Sequence, residues 1–140
     1  MRAGRAPPIA PDAFGERMRA RVASGALKFT SNADMEFVIG QYEAGFVAAI
    51  NRVAASEHRS GSLDFVYLGW GDAEAAELLL TLRYAAAKCA FRWAISVWVT
   101  TGNHISEEAM ATLPPHQDGD FTGENAVWAD KFMRATVYDD

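Results

Sequence analysis

SLDFVYLGWGDAEAAELLLTLRYAAAKCAFRWAISVWVTTGNHISEEAMATL, residues Ser62 to Leu113, is the stretch from which the fold is read. Leu63, Phe65 and Tyr67 alternate with Asp64 and Val66, the period of a strand with one buried face. Gly69 and Gly71 flank Trp70 in a tight turn, and Asp72 stands where an N-cap would accept an orphan helix N–H. Ala75, Leu79, Leu82, Ala86 and Cys89 then recur at steps of three and four, the apolar stripe of a long helix widened by Leu78 and Leu80. Glu77, Thr81, Tyr84 and Lys88 mark its polar side. Ile95, Val97 and Val99 make a second strand of this stretch, with Trp98 pointing the other way. Ser106 caps a last helix whose first turn holds Glu107 and Glu108, the right charge for a helix N-terminus, and Pro114 and Pro115 end it. Strand, turn, helix, strand, turn and helix together predict an α/β fold with parallel strands.

Upstream, Ala26 to Asn32 alternates Leu27 and Phe29 with Lys28 and Thr30, which predicts another short strand. From Phe37 to Ala55 the period changes. Ile39, Tyr42, Phe46, Ile50 and Val53 form one helical stripe, weakened by Gly40 and Gly45 by up to ~1 kcal/mol each. EHRSGS breaks the pattern as a loop. Beyond the double proline come a polar loop, HQDGDFTGEN, and a predicted short helix near Ala126 to Ala135 with Trp128, Phe132 and Ala135 on one face. Three segments result: a basic Pro/Arg-rich arm over 1–25, an α/β domain over 26–113 and a C-terminal tail over 114–140.

The arm carries Arg2, Arg5, Arg17, Arg19 and Arg21 against Asp12 and Glu16, with Pro7, Pro8 and Pro11 between them. Five arginines against two acids give it +3 and leave −8 for the rest of a chain whose net charge is −5. An acid-poor, Arg- and Ala-rich start resembles what a chloroplast or mitochondrial transit peptide leaves behind, and it also reads as an ordinary basic tail. Such an arm frays unless another protein or the domain's own acidic surface holds it. At 140 residues the chain is one domain at most, large enough to bury a core without staples. Its acidity argues against nucleic acid as the main partner. One cysteine, Cys89, excludes an internal disulfide and reads as a small buried apolar residue. Leu78 to Val99 is apolar enough to suggest a membrane span, but Arg83, Lys88 and Arg92 would each cost roughly 3 kcal/mol inside one.

The pattern repeats. Strand starts at Leu27, Leu63 and Val97 are separated by 36 and 34 residues, and helices begin near Phe37, Asp72 and Ser106. The unit GNHISEEAMATL resembles the ribonuclease-inhibitor class of leucine-rich repeats, G-N-x-I-x-D-E-G-A-x-x-L, through Asn103, Ile105, Glu107, Glu108 and Leu113. WGDAEAAELLLTL matches at Gly71, Asp72, Ala75, Leu78 and Leu82, with Trp70 for the Ile and Leu68 where the Asn belongs. The first unit keeps Leu27, Phe29 and Asn32. The resemblance spans about 85 of the 140 residues, and its units are longer than the family's usual 28 or 29. It implies short strand–turn–helix repeats with extended N- and C-terminal tails, and an Asn that satisfies backbone groups at the strand-to-helix bend. The competing reading is a small doubly wound regulatory or ligand-binding domain of the STAS type, which needs a strand hairpin that residues 1–25 do not supply.

Chemistry is harder to find. His58, His104 and His116 lie in loops and turns without a catalytic spacing to Ser or Cys. Asp118, Asp120, Thr122 and Gly123 mimic the opening of an EF-hand, but its closing position holds Ala129, so an acidic turn is expected rather than a metal site. The Gly69–Gly71 turn lacks a completed glycine motif, and Asp72 would repel a phosphate. No catalytic residue and no cofactor is therefore predicted. Aromatic anchors dominate the energy of protein interfaces. Trp98, Trp128 and Phe132 are expected to face outward, and with Arg2, Arg5, Pro7, Pro8 and Arg17 of the arm they are the candidate interface residues. A solenoid needs its ends covered. The expected role is a non-catalytic protein–protein interaction module, a small structural or accessory subunit docked on other protein subunits in a larger complex, an organellar one if the arm is a transit-peptide remnant.

Overall fold

A computed structural model describes residues 5–29, 31–55, 61–116 and 118–135. In chain order the elements are α1 (Pro11–Ala23), α2 (Asn32–Ala54), β1 (Ser62–Asp64), α3 (Asp72–Lys88), β2 (Ile95–Trp98), α4 (Glu107–Met110), a 3-10 helix (Gly123–Trp128) and β3 (Phe132–Ala135). The three strands form one parallel sheet in the order β1-β2-β3, so each strand lies beside its successor in sequence. The chain is α/β with a parallel sheet, as expected. Ser62 pairs with Ser96 and Asp64 with Trp98, while Ile95 pairs with Phe132 and Trp98 with Ala135.

The core forms on one side of this sheet. Ile95, Val97, Val99 and Phe132 are buried with Leu78 and Leu82 of α3, Ile50 and Ala54 of α2, Leu113 and Trp128. Burying a side chain of this size yields about 1.5–3 kcal/mol, and alanines at 75, 85 and 86 let α3 lie close to the strands. Thr81, placed on the polar stripe by its spacing, is 3% exposed. Its hydroxyl donates to the carbonyl of Pro8 at 2.6 Å, which makes burial tolerable.

The structure departs from the expected elements at several points. Ala26–Phe29 is not a strand, and Thr30 lies outside the described residues. Gly25, at φ 83°, closes α1, Leu27 N–H returns to Arg21 O, and the Ser31 hydroxyl caps α2 by accepting from Asp34 N–H. Two helix ends consume the segment. The basic arm is helical from Pro11, and Phe14 stacks on Tyr42 at 4.1 Å. Tyr67 leaves the strand at φ 57° and is 65% exposed. Finally, Ala126–Ala135 is no helix: Asp130 sits at φ 64°, a left-handed backbone that Asp tolerates, and it divides the 3-10 helix from β3. Trp128 and Phe132 are consequently 1% and 0% exposed rather than presented outward. Residues 57–60 of the EHRSGS loop lie outside the described residues.

Candidate interaction surface

The bends after β1 and β2 carry a dense set of polar contacts. Phe65 N–H donates to Trp98 O (2.7 Å), Tyr67 N–H to Thr101 O (3.0 Å), Gly69 N–H to Gly102 O (3.3 Å) and His104 N–H to Trp70 O (2.6 Å). Each pair joins residues 33 or 34 apart, so the pairing of β1 with β2 runs on through both turns. Gly69 and Gly102 adopt φ 71° and 76°, and a Cβ on Gly102 would collide with the Tyr67 backbone.

Asn103 sits inside this double bend. Its Oδ1 accepts from Leu68 N–H (3.2 Å) and Trp70 N–H (2.9 Å), and its Nδ2 donates to Phe65 O (2.9 Å) and Val99 O (2.7 Å). Every donor and two acceptor positions of the amide are used, on two successive bends at once. The first bend has no asparagine of its own, Leu68 standing there, and further support comes from Trp70. Trp70 is buried, stacks on Phe65 at 5.1 Å, and donates its indole N–H to Arg5 O at 2.7 Å.

Helix starts follow the same register. Asp72 is not the N-cap of α3; Gly71 is, and Glu74 closes the turn by accepting Gly71 N–H at 2.9 Å. Asp72 instead accepts from Ser106 N–H at 2.7 Å, which holds its carboxyl below the usual range. The Ser106 hydroxyl caps α4 as expected, accepting from Ala109 N–H at 3.1 Å. With Glu74 already on the turn amide, the Gly69–Gly71 loop offers an anion little.

Alternation along parallel strands sorts the remaining side chains to the sheet's second face. Opposite the core, register aligns Ser62, Ser96 and Met133 in one row and Asp64, Trp98 and Ala135 in the next. All six are half-buried or exposed. Trp98 therefore occupies the centre of this face, between an acid and an alanine, and it is the one interface aromatic of the three that the fold leaves accessible. Trp93, passed over in the sequence because it lies outside any stripe, is 42% exposed beside the start of β2, with the Arg92 guanidinium 5.6 Å from its ring centre.

The arm residues go elsewhere. Arg5 donates to Asp64 O at 3.3 Å and lies 5.7 Å from the Phe65 ring centre. Arg17 holds Glu77 through two bonds of 2.7 and 2.9 Å, and Pro8 receives Thr81. Pro7 is half-buried. Arg5 thus fastens the arm to β1, and Arg17 and Pro8 fasten it to α3, while Arg2 lies outside the described residues.

Between α1, α2 and α3 opens a cleft of about 430 Å³ bordered by Asp12, Glu16, Glu43, Tyr84 and Lys88. Burial, and then the 2.7 Å bond to Glu43, push the Tyr84 phenol up to about 12, which makes it a strut that keeps its proton. Asp120 turns its carboxylate onto the N–H and hydroxyl of Thr122, the acidic turn expected there. No group of three or more His, Cys, Asp or Glu among the described residues could hold a metal ion. His104 and His116 hydrogen-bond no Ser, Thr or Cys side chain among them, and His58 lies outside. Burial pushes the Cys89 thiol up, away from nucleophilic character. No helix among the described residues is long and apolar enough to cross a membrane. Compared with protein-family models, curated proteins and solved structures, the chain matches none.

Proposed function

We propose that this chain is a short leucine-rich-repeat-like solenoid, similar to the ribonuclease-inhibitor class, and that it works as a non-catalytic protein–protein interaction module within a larger assembly. The observation that carries the reading is Asn103. One asparagine satisfying the backbone of two stacked bends, within a hydrogen-bond ladder of 33- to 34-residue spacing, is the role the resemblance assigns to that residue. The repeat then runs through β1, β2 and β3 rather than starting at Leu27. In that arrangement the sheet face opposite the helices is the docking surface, with Trp98 as its anchor and Asp64, Ser96 and Met133 around it. The arm closes the β1 end from within the chain, and the partner is another protein rather than nucleic acid.

Affinity capture with the tagged chain from an extract of its own cells tests this. A defined set of proteins should be retained by the native chain and lost from Trp98→Ala, while circular dichroism stays unchanged. Retention of the same proteins by Trp98→Ala would remove the sheet face as the docking surface.

A further inference from the structure

We propose that the outward stripe of α2 pairs with the same stripe of a second copy of this chain, the two helices antiparallel about a two-fold axis near Glu43. The inward stripe of α2 is Met35, Ile39, Tyr42, Phe46, Ile50 and Val53, all buried or half-buried. Half a turn away, Phe37, Gln41, Ala44 and Ala48 recur at helical spacing and are all exposed. Phe37 is 66% exposed and borders an open hollow of about 440 Å³ over Gly40, Gln41 and Ala44. A large ring beside a shallow hollow, on one uncharged stripe, is a self-complementary pattern of the kind an isologous contact needs.

Glycine usage separates this face from the packed one. Gly15 of α1 has an internal reason, since a Cβ there would stand 3.2 Å from Ile39 Cγ2. Gly40 has no atom within 4 Å to exclude a side chain, yet costs α2 up to ~1 kcal/mol relative to Ala. Nothing within the described chain accounts for it, nor for Gly45 on the other flank of the stripe, which is equally open; close approach of a second helix backbone accounts for both.

Charge fixes the orientation. Asp34 and Arg52 are 18 residues apart, five full turns, so they project from one flank of the stripe at its two ends, about 27 Å apart. Both are exposed, and neither side chain has a partner among the described residues. Antiparallel pairing sets like flanks against each other, so Arg52 of each copy meets Asp34 of the other. Parallel pairing sets unlike flanks against each other and leaves Asp34 and Arg52 of each copy facing the partner's uncharged flank, with no ion pair formed. The same antiparallel register, within one residue, seats Phe37 over Ala48 and Gln41 over Ala44. One helix of about 34 Å per copy makes a small seam, so the dimer is a reversible one.

Sedimentation velocity of the full chain across the micromolar range should show a concentration-dependent monomer–dimer equilibrium. Asp34→Arg and Arg52→Asp, each alone, should raise the dimer Kd about tenfold or more. An equimolar mixture of those two variants should dimerise again, because each Arg then meets an Asp. Ala44→Glu, at an exposed helix position, should abolish pairing with helix content unchanged. A chain monomeric throughout overturns the proposal, as does a dimer whose Kd is indifferent to these substitutions.

Discussion

Asn103 shows how much one amide can hold together. Replacing it with Leu strips two N–H groups of an acceptor and two carbonyls of a donor. Water reaches a half-buried site in part, so the expected loss is about 2–4 kcal/mol, read as a lowered urea midpoint. Asn103→Asp is the sharper probe. It keeps the accepting oxygen but turns a second one onto the carbonyls of Phe65 and Val99, and near neutral pH it should be no milder than Leu. The facing carbonyls raise the pKa of such a carboxyl above the ordinary value and protonation restores a donor, so its deficit relative to the native chain should shrink as pH falls from neutral and be smallest below about 4. Tyr84 supplies a dependence of the same sign at the alkaline end. Its folded phenol titrates near 12 against an ordinary 10, so the folded chain keeps a proton that the unfolded chain releases. The stabilisation is complete below about pH 10 and lost as pH rises through about 12. In a titration followed by tyrosinate absorbance, Tyr84→Phe should lose a late step that persists in the native chain.

At the scale of elements, α1 and α2 form a helical pair whose close approach depends on Gly15. Gly15→Ala must displace Ile39 and the Arg19 side chain, which lies in a bidentate ion pair with Glu36. We expect a net loss of about 1 kcal/mol despite the better helix propensity of Ala. In the monomer Gly45→Ala, with open space around it, should stabilise by about 0.5–1 kcal/mol, and thermal melts of the two variants at concentrations too low for pairing should move in opposite directions. The α2 stripe was legible because five apolar residues in helical register admit no strand. Ala26–Asn32 misled because its alternation is too short to distinguish a strand from the ends of two helices meeting at a turn. Steps of four and three among Trp128, Phe132 and Ala135 misled for a related reason. They fit a helix by spacing, and the interruption at Asp130 is a backbone event that leaves no mark on the apolar pattern.

For the molecule as a whole, the sheet divides the chain into a packed side and an open side, and β3 is where that division is hardest to read. Ile95, Val97 and Val99 declared their common face through strict alternation, and Trp98 could be assigned to the other face from sequence. FMRA carries no such signature, because Arg134 takes an inward position beside Val97 and reaches the carbonyl of Met110 at 3.0 Å and that of Pro114 at 3.4 Å. An inward arginine disguises a strand as a helix end. The consequence is a contrast between two aromatics that looked alike in the sequence. Phe132 is fully buried against Phe91 and Trp128, at ring distances of 5.2 and 6.1 Å. Phe132→Ala should therefore remove about 3–5 kcal/mol and loosen β3 from β2. Trp98→Ala, one strand away on the open face, should cost about 1 kcal/mol or less. Amide exchange distinguishes the two: Phe132→Ala should expose the β2–β3 amides while β1 and its bend stay protected through Asn103, and Trp98→Ala should leave the pattern intact. Equal losses for both variants would mean that the sheet is covered on both faces, and Trp98 would then be core rather than contact surface.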